Sequence, residues 1–128
     1  MLAVDTNVLV RVIMGDHPDQ SRRARELVAE NDVWISMTVL LETEWVLRSR
    51  HRYARGQIVA VLRRLAGLPR VTLQDATATA HALDWCEQGM DLADALHLAA
   101  ADHCESFVTF DKRFGKAARK LALDVREP

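Results

Sequence analysis

Asp5, Glu42, Asp91, Asp94 and Asp111 are the side chains of this chain whose types and positions suit chemistry. All are carboxylates, and most stand where a carboxylate is awkward for structure alone. Carboxylates drawn together repel one another, and without a cation some of them must stay protonated at neutral pH. Magnesium and manganese are hard cations that prefer oxygen ligands, usually a few carboxylates and several waters. Such an ion removes the repulsion, lowers the pKa of a bound water and shields a phosphate from an attacking hydroxide. The chemistry these residue types suit is therefore attack of a metal-activated water at a phosphate, with one metal or two.

Each acid has a structural reading to set against this one. Asp5 follows Leu2, Ala3 and Val4, where an aspartate after a strand commonly caps the next helix. Asp91, just after Gly89, suits an N-cap, and Asp94 falls in the first turn, where the helix dipole favours an anion. The helix after Asp94 is apolar on nearly every side, so its carboxylate borders a core and needs a reason. Asp111 closes the segment Phe107-Val-Thr-Phe-Asp111, where a turn acid would pair with Lys112 or Arg113. Thr109 shares the side of Asp111 by strand periodicity and is placed to hydrogen-bond it or a ligand.

Glu42 and Glu44 are separated by helical phase. With Val39 at 0° and about 100° per residue, Thr43, Val46 and Leu47 gather into a core stripe, Glu42 falls near its border and Glu44 near 140°. Arg48 stands four residues after Glu44, an ordinary surface ion pair worth a few tenths of a kcal/mol, so Glu44→Gln should be nearly silent. Glu42 has no such partner, and an unpaired carboxylate beside an apolar face is costly unless a cation neutralises it. Leu41 and Trp45 form a second apolar patch on the same helix, expected to face a partner.

The elements that must position these acids alternate. Short apolar runs at Leu2–Val4, Val33–Ile35, Val71–Leu73, Phe107–Phe110 and Leu123–Val125 read as strands. Between them, helices are expected over Asn7–Met14, Pro18–Glu30, Thr38–Arg50, a stretch around Ile58–Leu65, from Asp75 towards Gly89, Asp91–His103 and Lys112–Leu121. Alternation of this kind implies an α/β fold with a parallel sheet, whose ligands bind outside the carboxyl ends of the strands. Asp5 and Asp111 each follow a strand and share that edge.

With 128 residues the chain fits one domain. Its 17 basic and 18 acidic residues leave a net charge of -1, so bulk charge gives no support for a nucleic-acid substrate. Local clusters matter more. Lys112, Arg113, Lys116, Arg119 and Lys120 lie beside Asp111 and are the better placed for a phosphate-bearing substrate; a second cluster from Arg48 to Arg55 reads equally as a solvated helix end or a phosphate-binding rim. Cys86 and Cys104 read as two buried free thiols of a reducing compartment. The N-terminus has no basic run before its apolar stretch and is not expected to be a signal peptide. No uncharged run approaches the ~20 residues of a membrane helix, and a cytoplasmic protein is expected.

Four segments, AVDTNVLV, VLLETEWVL, DLADALHLAAA and FVTFDKRF, resemble in order and spacing the signature segments of PIN domains, and most of all the VapC toxins of toxin–antitoxin pairs. The resemblance spans nearly the whole chain. It implies a three-layer α/β/α sandwich with a central, mainly parallel sheet and a magnesium- or manganese-dependent endoribonuclease. It places the four site acids on Asp5, Glu42, Asp94 and Asp111, with Asp91 as an extra acid and Thr6, Asn7 and Thr109 lining the site. Lys112, Arg113 and Lys116 would touch RNA. It further implies a transfer or ribosomal RNA substrate, arrest of translation, a homodimer, and inhibition by a small VapB-like antitoxin, with larger assemblies of the two. A phosphatase of the haloacid-dehalogenase type also puts an aspartate after its first strand, but wants a second acid where this chain has Asn7. The alternative from another class is a non-catalytic PIN-fold binding module.

Overall fold

The computed structural model describes residues 1–128, which divide into two compact units, Met1–Ala76 and Thr77–Pro128. The first unit runs β1 (Leu2–Ala3), α1 (Thr6–Met14), α2 (Pro18–Glu30), β2 (Val33–Ile35), α3 (Met37–Arg50), α4 (Arg55–Ala66) and β3 (Val71–Leu73). Its three strands pair in the order β1-β2-β3, all parallel. The middle strand is the apolar one: Val33 and Ile35 are buried, while β1 at the edge is exposed. The register sets Leu2 beside Val33 and Val33 beside Val71. Helices α2 and α3 both pack on α1, and α4 packs on α3.

Local chemistry fixes where these helices begin and end. Pro18 occupies the first turn of α2, where its missing N–H costs nothing, and His17 caps it by accepting from the Gln20 amide at 3.2 Å. The Ser36 hydroxyl caps α3 by accepting from the Val39 amide at 3.1 Å. Gly15 ends α1 in the left-handed region at φ 64°, a conformation glycine adopts without a Cβ clash.

The second unit carries α5 (Ala76–Glu87, starting at the boundary), α6 (Leu92–Ala100), β4 (Phe107–Val108), α7 (Lys112–Lys120) and β5 (Val125–Arg126). Strands β4 and β5 form a parallel pair, with Phe107 beside Val125 and Val108 beside Arg126. Leu83, Cys86, Met90, Leu96, Phe114 and Val125 are among its buried side chains, and Phe114 stacks on Phe107 with ring centroids 5.1 Å apart.

The expected α/β class and parallel pairing are both present, carried by two hydrogen-bonded sheets of three and two strands. Strand β4 stops at Val108, two residues short of the expected end, because Thr109 and Phe110 turn into the cap of α7. Helix α6 stops at Ala100 rather than His103, where a short turn closes on Ala101 and Cys104. The thiols are free as expected, but Cys104 is exposed rather than buried.

Candidate active site

The predicted acids fall into both units: Asp5 and Glu42 in the first, Asp91, Asp94 and Asp111 in the second. Asp5 is the N-cap of α1 and its Oδ1 accepts from the Thr6 amide at 2.7 Å, leaving Oδ2 outside that bond. Thr6 itself is buried at 3% exposure, and its hydroxyl has no hydrogen-bond partner. A buried, unpartnered hydroxyl costs desolvation energy, so its place beside Asp5 is not explained by packing. Asn7 is exposed and lines a groove of about 350 Å³ between α1 and α2 with Val8, Arg11, Gln20, Arg23, Ala24 and Leu27. Asn7 and Arg11 are four residues apart, hence on one face of α1, and Arg11 there pairs with Asp16 at 3.2 Å.

On α3 the structure corrects the expected phase. Leu40, Thr43, Glu44 and Leu47 are buried, while Val39 and Val46 are only half-buried. The buried stripe is therefore centred near 90° on the scale above, which carries Glu44 inward and turns Glu42 to the solvent side. Glu44 is not a surface residue: it is 7% exposed, and its Oε1 accepts from the Arg48 Nε at 2.7 Å. Glu42 is exposed, without a hydrogen bond or ion pair. Burial therefore does not single out Glu42: α3 is apolar around most of its circumference, and its periodicity does not fix its phase. What still recommends Glu42 is the resemblance of its segment alone. Trp45, 48% exposed with the Arg50 guanidinium 5.9 Å from its ring centre, lies on the open side as expected.

In the second unit Asp94 lies within the influence of two further acids. Asp91 caps α6, its Oδ1 accepting from the Asp94 amide at 3.2 Å. Asp111 caps α7, its Oδ1 accepting from the Phe114 amide at 3.1 Å, rather than pairing with Lys112 or Arg113. The Thr109 hydroxyl accepts from the Asp111 amide at 3.0 Å, so Thr109 orients the residue it was expected to serve. Asp94 stands half-buried in the first turn of α6. Its carboxyl is pushed above the ordinary value of 3.8, first by burial and then by the like charges of Asp91 and Asp111; His97 pulls weakly the other way. His97 is exposed. Lys112, Arg113 and Lys116 are all exposed on α7.

The donor chemistry fits a hard divalent cation. Carboxylate oxygens are what magnesium and manganese prefer, and the repulsion at Asp94 is the kind a cation relieves. No group of three or more His, Cys, Asp or Glu side chains is arranged closely enough to hold an ion. Magnesium is commonly held by one or two carboxylates with waters completing its shell, which asks less of the protein.

Alternating helices and parallel strands, with acids at the mouths of α1, α6 and α7, define a class. A family model of the PIN domain matches residues 2–120, and the chain belongs to that family, with its α/β/α type of fold. Among solved structures it is similar to VapC20 of Mycobacterium tuberculosis, a sarcin-ricin loop cleaving toxin: 24% identity over 91% of this chain and 95% of that one, with a TM-score of 0.44. No curated protein matches the chain. No helix is long and apolar enough to cross a membrane.

Proposed function

We propose that this chain is a VapC-type endoribonuclease, one PIN domain over residues 1–128, that hydrolyses RNA phosphodiester bonds with magnesium or manganese. Membership of the PIN family supports a nuclease. The observation that carries the catalytic reading is Asp94: a half-buried carboxyl flanked by two like charges, with its affinity for a proton raised. A carboxylate in that position is poorly explained by folding alone and is a functional candidate on physical grounds.

Asp5, Glu42, Asp94 and Asp111 are the proposed ion-holding and catalytic acids, with Asp91 auxiliary. When bound, the ion supplies neutralisation of the phosphate and a lower pKa for water. The chain's own residues do the rest. Asp5, Asp91 and Asp111 each have one carboxylate oxygen tied to a helix amide, which fixes their rotamers and leaves the other oxygen outside the cap bond. Thr109 holds the backbone of Asp111 in place. Asp94 retains a proton more readily than an ordinary aspartate until positive charge arrives. Thr6 offers a hydroxyl, and Asn7 an amide, next to Asp5. Lys112, Arg113 and Lys116 draw the phosphate backbone towards Asp111.

The substrate proposed is transfer or ribosomal RNA, and cleavage arrests translation in the cytoplasm. A homodimer and a VapB-like antitoxin, joined into larger assemblies, complete the reading, and the open Trp45 side of α3 is a surface such a partner would cover. The test is incubation of a total cellular RNA pool with purified protein in magnesium, in manganese and in EDTA. Cuts at a few discrete sites, dependent on metal and absent in Asp5→Asn, are the expected result. A folded wild-type protein that leaves every RNA intact under both metals overturns the enzyme and favours a binding module.

A further inference from the structure

Helix α7 is the most sharply divided surface of the second unit. Five of the six Lys and Arg residues between positions 77 and 128 lie in its nine residues. With Phe114 at 0°, Lys112, Arg113, Lys116, Arg119 and Lys120 all fall within an arc of roughly 120° opposite the buried Phe114 and Ala118. None of these cations is neutralised: no acid pairs with any of them. Five free cations on one stripe form an anion-binding face rather than a web of surface ion pairs.

Phe110 stands at the head of that stripe, one residue before Asp111, and is 80% exposed. An apolar residue just before a helix cap normally packs on the fourth helical residue, closing the chain over the first turn. Here that residue is Gly115, which has no side chain to meet it. Phe114, the other aromatic of the turn, is already stacked on Phe107. The fold therefore leaves a phenyl ring in water with no structural partner, at the edge of a cationic face and next to a proposed catalytic acid. Val108, at the end of β4 and two residues earlier in the chain, is also exposed, and its partner in the β5 register is Arg126.

An exposed aromatic set among free cations is how proteins hold single-stranded nucleic acid, with bases on rings and phosphates on Lys and Arg. We propose that Phe110 is a base-stacking platform: it holds one unpaired RNA base beside Asp111 while α7 tracks the backbone, and so restricts the enzyme to loops and unpaired strands. This rests on the ribonuclease reading. A regular duplex keeps its bases stacked on one another and offers the ring nothing, so selectivity for unpaired segments follows from the geometry.

The experiment measures binding of a fluorescently labelled, mixed-sequence single-stranded oligoribonucleotide, and of the same sequence as a duplex, in EDTA at several salt concentrations. Phe110→Ala is expected to weaken single-strand binding by about tenfold or more, with unchanged duplex binding and an unchanged salt slope. Phe110→Trp is expected to bind like the wild type. Its emission, taken as the difference from the wild type, should be quenched by the single strand and not by inorganic polyphosphate, which reads charge alone. Lys116→Gln is expected to reduce the salt slope instead, by about 1 or slightly less. Equal single-strand affinity of Phe110→Ala and a wild-type protein that binds and cuts RNA would overturn this proposal alone. So would a change from dimer to monomer in sedimentation caused by Phe110→Ala without loss of RNA affinity, which assigns the ring to a contact between copies. A folded wild type that neither binds nor cuts RNA removes the ribonuclease reading and this one with it.

Discussion

Glu44 on α3 and Asp94 on α6 are both carboxylates drawn out of water, and the protein treats them in opposite ways. Glu44 is 7% exposed and is answered from within its own helix, by Arg48 one turn later at 2.7 Å. Asp94 is less deeply buried, yet the charges that act on it are chiefly Asp91 and Asp111, of its own sign. A carboxylate paired inside its own element serves the fold. One surrounded by further carboxylates is held at a cost to the fold and points to a cation from outside. Burial alone does not separate the two cases, and the sign of the neighbouring charge does.

The largest effect expected from breaking this contrast is at Asp94. Asp94→Asn should reduce RNA cleavage on the order of a thousandfold or more, the scale of losing several kcal/mol of stabilisation from a metal site. The same change should raise the melting temperature in EDTA at neutral pH. Because the folded carboxyl binds its proton more readily than the unfolded one, its favourable contribution is full below the ordinary value of 3.8 and is lost as pH rises through the folded pKa. The advantage of the variant over the wild type should therefore shrink as the pH is lowered past 3.8. Magnesium or manganese should raise the melting temperature of the wild type well above that of the variant. A wild-type-like cleavage rate in Asp94→Asn sinks the site assignment.

Asp111 sharpens the comparison, since it is both a cap and a proposed site acid. Asparagine caps helices as well as aspartate does. Asp111→Asn should thus leave urea stability near the wild type while cleavage falls by on the order of a hundredfold. Asp111→Ala should lose cleavage and also about 1 kcal/mol of stability. Equal stability of the two variants would mean that the bond to the Phe114 amide contributes nothing. Glu44→Gln is the counterpart on the structural side: about 1 kcal/mol less stable by urea melting, with cleavage by the folded protein unchanged. If it instead abolishes cleavage, Glu44 rather than Glu42 belongs to the site.

These variants also bear on what the sequence made legible. On α7 the apolar and basic residues segregate so sharply that the buried face follows from periodicity, and Phe114 and Ala118 are buried accordingly. On α3, Val39, Leu40, Leu41, Trp45, Val46 and Leu47 surround the axis, so several phases fit the sequence equally well and only packing selects the one that buries Glu44. The strands were legible by their apolar runs, and β2 and β3 have the expected bounds. Strands of two or three residues carry no usable alternation, so their division between two sheets could not be read. The partial burial of Asp94 was legible from its place at the mouth of an apolar helix. The repulsion from Asp111 was not legible in the periodicity, because the two stand 17 positions apart and only folding brings their charges together.

The smallest effects concern neutral groups, where the same question of what answers a buried polar atom can be asked without charge. Thr43 and Thr79 are both almost fully buried within helices, at 0% and 1% exposure. The Thr43 hydroxyl donates to the Val39 carbonyl at 2.7 Å, whereas the Thr79 hydroxyl has no partner. Replacing threonine by valine keeps the shape and removes only the hydroxyl. At Thr79 this deletes a desolvated group that gains nothing, so Thr79→Val should be neutral or stabilising by up to about 1 kcal/mol. At Thr43 it deletes a made bond, so Thr43→Val should be destabilising by roughly 0.5–1 kcal/mol. Urea midpoints of the two variants at equal slope give the comparison directly. If Thr79→Val proves the more damaging of the two, its hydroxyl has a partner in solution and the burial argument applied to Thr6 weakens with it.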